Sequence, residues 1–225
     1  MTTRILYLFT RTPLHVGAGS SVGAIDQPVI RERHTGFPVV PASSLKGTFA
    51  DEWTDGTKRT EEGKWLFGSD DANAQCAGSI LFTEARLLAF PIRSAKGGHA
   101  WITCPSLMQK ARRDGVIALD APAEPIEDQA IFKTNGPLAL PTAQGGTPQI
   151  VLEDYCFSAM GTYPSELANA LAGLVADDVF KSIADRLVIV SNGTMSHFAT
   201  TACEVAQHVR ISDETGTAEG TGLFN

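Results

Sequence analysis

The sequence predicts an α+β protein built on a ferredoxin-like (RRM-like) sheet with inserted loops. Three observations predict it: short β-branched or aromatic runs bounded by turn residues, segments of helical period opened by Ser or Pro, and the order in which the two alternate. That order is strand, helix, strand, strand, helix, strand, the split βαβ arrangement whose open face is a common platform for single-stranded RNA. The 225 residues, 43% hydrophobic and 19% charged, suffice for one core without staples, so a single domain over 1–225 is expected.

The elements follow in order. Residues 5–10 are β-branched and aromatic enough for a first strand, which runs into a glycine-rich loop over 17–28. Ser43 and Ser44 are suitable N-caps for a helix to Trp53, because Leu45, Phe49 and Trp53 repeat every four residues on one face. Residues 55–76 are polar and irregular. Residues 79–90 and 100–104 form an antiparallel pair around Lys96-Gly97-Gly98, and Pro105-Ser106 opens a helix that reaches Arg113 and stops at Gly115. From 116 to 149 the chain holds five of its twelve prolines with little periodicity, which predicts a thumb-like excursion out of the fold. Strands over 149–159, 187–191 and 205–211 and helical sequence over 164–186 complete the reading.

Composition excludes several classes. No apolar run approaches the length that spans a bilayer, and the first residues, broken by Arg4 and Arg11, do not read as a signal peptide, so a cytoplasmic protein without membrane partners is expected. The four cysteines, at 76, 104, 156 and 203, are too scattered for C-x-x-C metal geometry. Asn192-Gly193-Thr194 reads as a turn. Charge is uneven: residues 1–115 carry 14 Lys and Arg against 11 Asp and Glu, a balance of +3, whereas residues 116–225 carry 4 against 14, a balance of −10. A pI near 5.2 argues against nonspecific nucleic-acid binding but leaves room for a basic face that grips phosphates.

The candidate site residues cluster before residue 47. Gly17, Gly19 and Gly23 are spaced G-x-G-x-x-x-G, and the extended stretch after Pro28 replaces the helix that a dinucleotide fingerprint requires. The loop is either a plain surface loop or one whose unobstructed backbone amides, with Ser20, approach an RNA backbone. Asp26 either caps a turn or offers a carboxylate beside RNA. There it would hold a hydrated Mg²⁺ whose other ligands come from substrate phosphates, or help deprotonate a 2′-hydroxyl. Arg31 and Arg33 share one face of an extended strand and form a phosphate clamp or a salt-bridged surface. Lys46 sits at a helix start, where the macrodipole disfavours a cation unless an anion is bound between them. His15 is an acid, a base, an RNA contact or a packing residue, whereas Lys110, Arg112 and Arg113 complement a helix C-terminus.

Taken together, the string from His15 to Gly47, HVGAGSSVGAIDQPVIRERHTGFPVVPASSLKG, resembles the RAMP superfamily of CRISPR effector proteins. The glycine loop with its aspartate, the RERHTGFP stretch and the SSLKG helix start occur in that family's order, most like the backbone subunit of the type III-B (Cmr) complex. Weaker similarity continues through Leu66-Phe67-Gly68, residues 78–82, residues 150–153 and residues 210–214.

The resemblance implies a ferredoxin-like RAMP fold, with copies of the chain stacked in a helical filament on a CRISPR RNA beside other type III-B subunits. A thumb would splay guide and single-stranded target RNA at intervals. It also implies that Asp26 cuts the target RNA with Mg²⁺ or another divalent metal, and that Ser43, Ser44 and Lys46 contact guide RNA. Arg31 joins that group by charge and alternation. The thumb is assigned to 116–149, and the family's further C-terminal strand and glycine-rich loop are expected to be absent. Two other readings stand beside this one: a guide-binding scaffold without catalysis, and a guide-processing ribonuclease that works without metal through His or Tyr.

Overall fold

The computed structural model describes residues 2–19, 28–69, 75–205 and 208–224. The first elements are β1 (Val39–Val40), α1 (Ala42–Asp51), β2 (Thr54–Asp55), β3 (Lys58–Arg59), α2 (Glu61–Phe67) and β4 (Ala85–Arg86). Next come β5 (Phe90–Ser94), β6 (Gly98–Thr103), α3 (Pro105–Arg113), β7 (Gln129–Phe132), β8 (Gln149–Leu152) and β9 (Tyr155–Gly161). The remaining elements are α4 (Ser165–Ala172), α5 (Asp178–Lys181), α6 (Ile183–Arg186), β10 (Leu187–Ile189), α7 (Asn192–Thr201), β11 (His208–Ile211) and β12 (Ala218–Phe224).

Six strands close into a barrel in the order β10-β6-β5-β8-β9-β7, with β7 returning antiparallel to β10. β6 from Ala100 on and β10 are buried on both faces, so they carry continuous apolar runs, whereas β5 alternates, with Pro91 and Arg93 exposed and Ile92 and Ser94 buried. Ala100 and Ile102 of β6 join Ile92, Phe132, Ile150, Leu152, Phe157 and Val188 in one core, which α7 completes with Met195, Phe198 and Ala199. Trp101, between them, joins Ile131, Leu187 and Ile189 in a second core against Met108 of α3, Leu167 and Leu171 of α4, Phe180 and Ile183. The β5–β6 turn is made by Gly97 and Gly98 at φ 82° and 84°, a left-handed conformation that glycine adopts without steric cost.

The closed sheet differs from the open ferredoxin-like sheet that the element order predicts. Residues 5–10, expected as its first strand, form no strand; residues 5–8 are exposed and Phe9 alone docks, its ring centroid 6.0 Å from Trp101 and 5.3 Å from Phe180. Strand propensity needs a free edge to act on, and the β7–β10 pairing closes the sheet. The stretch 116–149, expected to leave the fold as a thumb, returns to it as β7, and Ile117, Ala130, Ile131, Phe132, Leu138 and Ala139 are buried. A further strand is also present after the last expected one: β12 pairs with β11. Among the described residues no helix is long and apolar enough to cross a membrane.

Candidate nucleic-acid interface

The glycine loop is gripped at its neck. The amide of Ala18 donates to the Pro28 carbonyl at 2.9 Å and that of Ile30 to the Val16 carbonyl at 2.9 Å, setting Gly17 opposite Val29. The returning strand then turns back as a hairpin. Arg31 faces Pro38, the Glu32 amide donates to the Phe37 carbonyl at 2.9 Å, and the Val39 amide donates to the Ile30 carbonyl at 3.2 Å. Beyond it β1 pairs with β4, Val39 opposite Arg86. The last hairpin bond toward the loop is that from Val39 to Ile30; the Ile30 amide itself turns to Val16, and α1 starts from Pro41, two residues past Val39. The neck of the loop and the chain entering α1 are thus linked through Ile30, which bonds both Val16 and Val39.

The start of α1 is built without the usual compensation. Pro41, at φ −59° and ψ 146°, is its N-cap, so Ser43 and Ser44 lie inside the first turn and are not the caps that the sequence predicts. No side chain caps the first amides, and the first turn holds no acidic residue. Free N–H groups and an uncompensated dipole end leave this turn suited to an anion. Ser43 is exposed and Ser44 and Lys46 are half-buried; Lys46 has no ion pair among the described residues. His15 and Gly17 are exposed at the neck, and Gly19, at φ 100°, has open space where a Cβ would stand. Ser20 and Asp26 lie outside the described residues.

Arg31 corrects the phosphate-clamp expectation. Residues 33–35 form a turn rather than a continuing strand, so Arg33 is exposed while Arg31 is drawn inward. Nη1 of Arg31 donates to the carbonyls of Gly36 at 2.9 Å and Ala199 at 2.6 Å, and Nη2 lies 3.5 Å from Cys203 Sγ. The guanidinium thus serves the C-terminal turn of α7, which has no basic residue of its own.

Sequence reasoning passed over Glu32. Its side chain is only 8% exposed, accepts from Thr35 Oγ1 at 2.6 Å and pairs with Lys110 Nζ at 3.4 Å and His34 Nε2 at 3.6 Å. Burial pushes the carboxyl up, but the Thr35 hydroxyl and the Lys110 ammonium outweigh it and hold Glu32 below its ordinary value. Its position between two arginines hinted that it faces away from Arg31, yet only the fold shows Lys110 of α3 waiting there. No cluster of three His, Cys, Asp or Glu side chains able to hold a metal ion exists among the described residues, so they do not by themselves fit a divalent cation.

A protein-family model described as RAMP superfamily matches residues 8–225. The chain is 30% identical, over all of its own length and 76% of the relative's, to the CRISPR system Cmr endoribonuclease Cmr4 of Pyrococcus furiosus. Its fold is similar to that of oligomeric Cmr4 from Pyrococcus furiosus, with a TM-score of 0.61 and 24% identity over 85% of this chain and 72% of that one. It is also similar to a chain of the type III-B Cmr-beta complex bound to cognate target RNA, with a TM-score of 0.60 and 20% identity over 94% of this chain and 74% of that one.

Proposed function

The chain belongs to the RAMP superfamily, and from that membership we propose that it is the backbone subunit of a type III-B CRISPR effector that holds a CRISPR RNA and cuts complementary target RNA. The first turn of α1, with Ser43, Ser44 and Lys46, takes guide phosphates. The glycine loop, through His15, Gly17, Gly19 and Ser20, lies along the same backbone. Asp26, two residues before Pro28, is the cutting residue. Its carboxylate takes the proton of a ribose 2′-hydroxyl as that oxygen attacks the adjacent phosphorus, and the 5′-oxygen leaves and is protonated. A strand splayed away from its partner supplies the in-line geometry that this attack requires. A divalent metal would draw on Asp26 and on RNA oxygens. Copies of the chain would share one guide with other type III-B subunits.

The observation that carries this reading is Ile30, whose amide bonds the loop neck at Val16 and whose carbonyl accepts from Val39, two residues before the Pro41 cap of α1. It supports one strip of backbone serving both guide binding and cutting. Target cleavage by the reconstituted complex tests it: Asp26→Ala should abolish cutting while the complex still binds guide and target. Cutting at the normal rate would remove Asp26 from catalysis and favour a scaffold.

One observation favours the guide-processing reading. Tyr155 and His197 are both exposed, with the phenolic oxygen 3.1 Å from His197 Nε2, a pair suited to proton transfer without metal. Cleavage of precursor repeat RNA by the isolated chain in EDTA, lost in His197→Ala, would support it.

A further inference from the structure

The hairpin that follows the glycine loop is clamped from two sides, and each clamp uses a charged residue of the RERHTGFP stretch. On one side Arg31 reaches α7, donating to Ala199 at 2.6 Å, and Ser196 Oγ of α7 donates to the Thr35 carbonyl at 2.8 Å. Gly36, at φ 73°, lets this turn lie against α7, because a Cβ there would meet Thr200 Cγ2 at 3.3 Å. On the other side the buried Glu32 carboxylate holds Lys110 of α3 at 3.4 Å. Both helices are anchored in the core, α7 by Met195 and Phe198 and α3 by Leu107 in that same cluster and by Met108 in the second. The hairpin is therefore referenced to two core-anchored helices, and through the Ile30–Val16 and Ala18–Pro28 hydrogen bonds so is the neck of the loop.

We infer that Arg31 and Glu32 are positioning residues for RNA cleavage, fixing the loop neck against α7 and α3 so that the loop meets the RNA in one orientation. This rests on the proposed function. It replaces direct contact between Arg31 and phosphate with action through the hairpin, and the two differ in what they do to binding. A phosphate contact adds to affinity and to its salt dependence; a latch behind the loop adds to neither. A small misplacement of reacting groups instead lowers the rate at saturation.

The test uses the complex reconstituted on CRISPR RNA, with Arg31→Met, Arg31→Lys, Glu32→Gln and Asp26→Ala compared for guide and target affinity at several salt concentrations and for single-turnover cutting at saturating target. Arg31→Met should cut on the order of tenfold to a hundredfold more slowly. Its guide and target affinities and their salt slopes should be unchanged, and Arg31→Lys, still a donor to carbonyls, should recover much of the rate. Weaker binding with a shallower salt slope would return Arg31 to the RNA surface and overturn the inference. So would normal cutting by Arg31→Met, provided Asp26→Ala is inactive; normal cutting by Asp26→Ala would instead sink the proposed function. Should Arg31→Met fail to assemble, Glu32→Gln decides: slower cutting at unchanged affinity supports the latch, and the wild-type rate overturns it.

Discussion

Glu32 shows how a single side chain can make the candidate interface sensitive to acid. Its carboxyl is held below its ordinary value of 4.5, so the contribution of the Lys110 and Thr35 contacts is complete above that pH and is lost as pH falls through the lower native value. Thermal stability of the wild-type chain should therefore drop on acidification within the carboxylate range. Glu32→Gln should start lower at neutral pH, because Lys110 loses its partner, and should show a flatter acid limb. Melting temperatures measured between pH 3 and 7 check this; parallel curves for the two proteins would mean that Glu32 does not carry the dependence. Arg31 teaches a second lesson at this scale. Charge and alternation made it a surface cation, but its partner on α7 lies 168 residues away in sequence, and no local pattern could announce it.

At the scale of the element, α1 is the clearest case of stability and binding pulling apart. Its first turn lacks both a side-chain cap and an acidic residue, and each omission forgoes stabilisation that helices commonly use. An aspartate at exposed Ser43 would interact favourably with the dipole, adding about 0.3–1 kcal/mol. The same charge would repel a guide phosphate, so Ser43→Asp should raise the melting temperature slightly while weakening guide binding. Lys46→Ala should weaken guide binding too, with its salt slope reduced by about one unit. Filter binding at several salt concentrations beside thermal melts checks both; a Ser43→Asp chain that binds guide normally would take α1 out of the interface. The helix itself was legible from Leu45 and Phe49, although it ends at Asp51, short of the expected Trp53, whereas its cap was not, because Pro41 and the two serines all suit a helix start and the backbone decides among them. Strand β10 was legible as a short buried strand and β6 as one arm of an antiparallel pair, but its partner is β5, Phe90–Ser94, and not residues 79–90. Strand β7 was not: Gln129–Phe132 is too short for a period, and the prolines around it read as an excursion.

For the whole molecule, the barrel explains both what the sequence misjudged and how copies would sit together. Residues 5–10 have the composition of a strand, but edge availability is a property of the assembled sheet, and closure through β10 and β7 consumes the edges. Outside the barrel the loop neck, the hairpin and β4 are joined edge to edge, Gly17 opposite Val29, Arg31 opposite Pro38 and Val39 opposite Arg86. The chain carries a net charge of −7 with its positive balance confined to the first 115 residues, so two copies in free solution repel one another, and on the proposed function an RNA bound between them would offset that repulsion. Assembly should accordingly need the polyanion. Gel filtration of the chain alone should show no growth with concentration at low salt, and adding CRISPR RNAs of increasing length should give complexes that grow in regular steps. Raising salt should dissolve the ladder by weakening the phosphate contacts, although it also screens the repulsion between copies. A chain that polymerises as well without RNA, or whose complexes do not lengthen with the guide, would show that protein contacts and not the shared strand set the spacing.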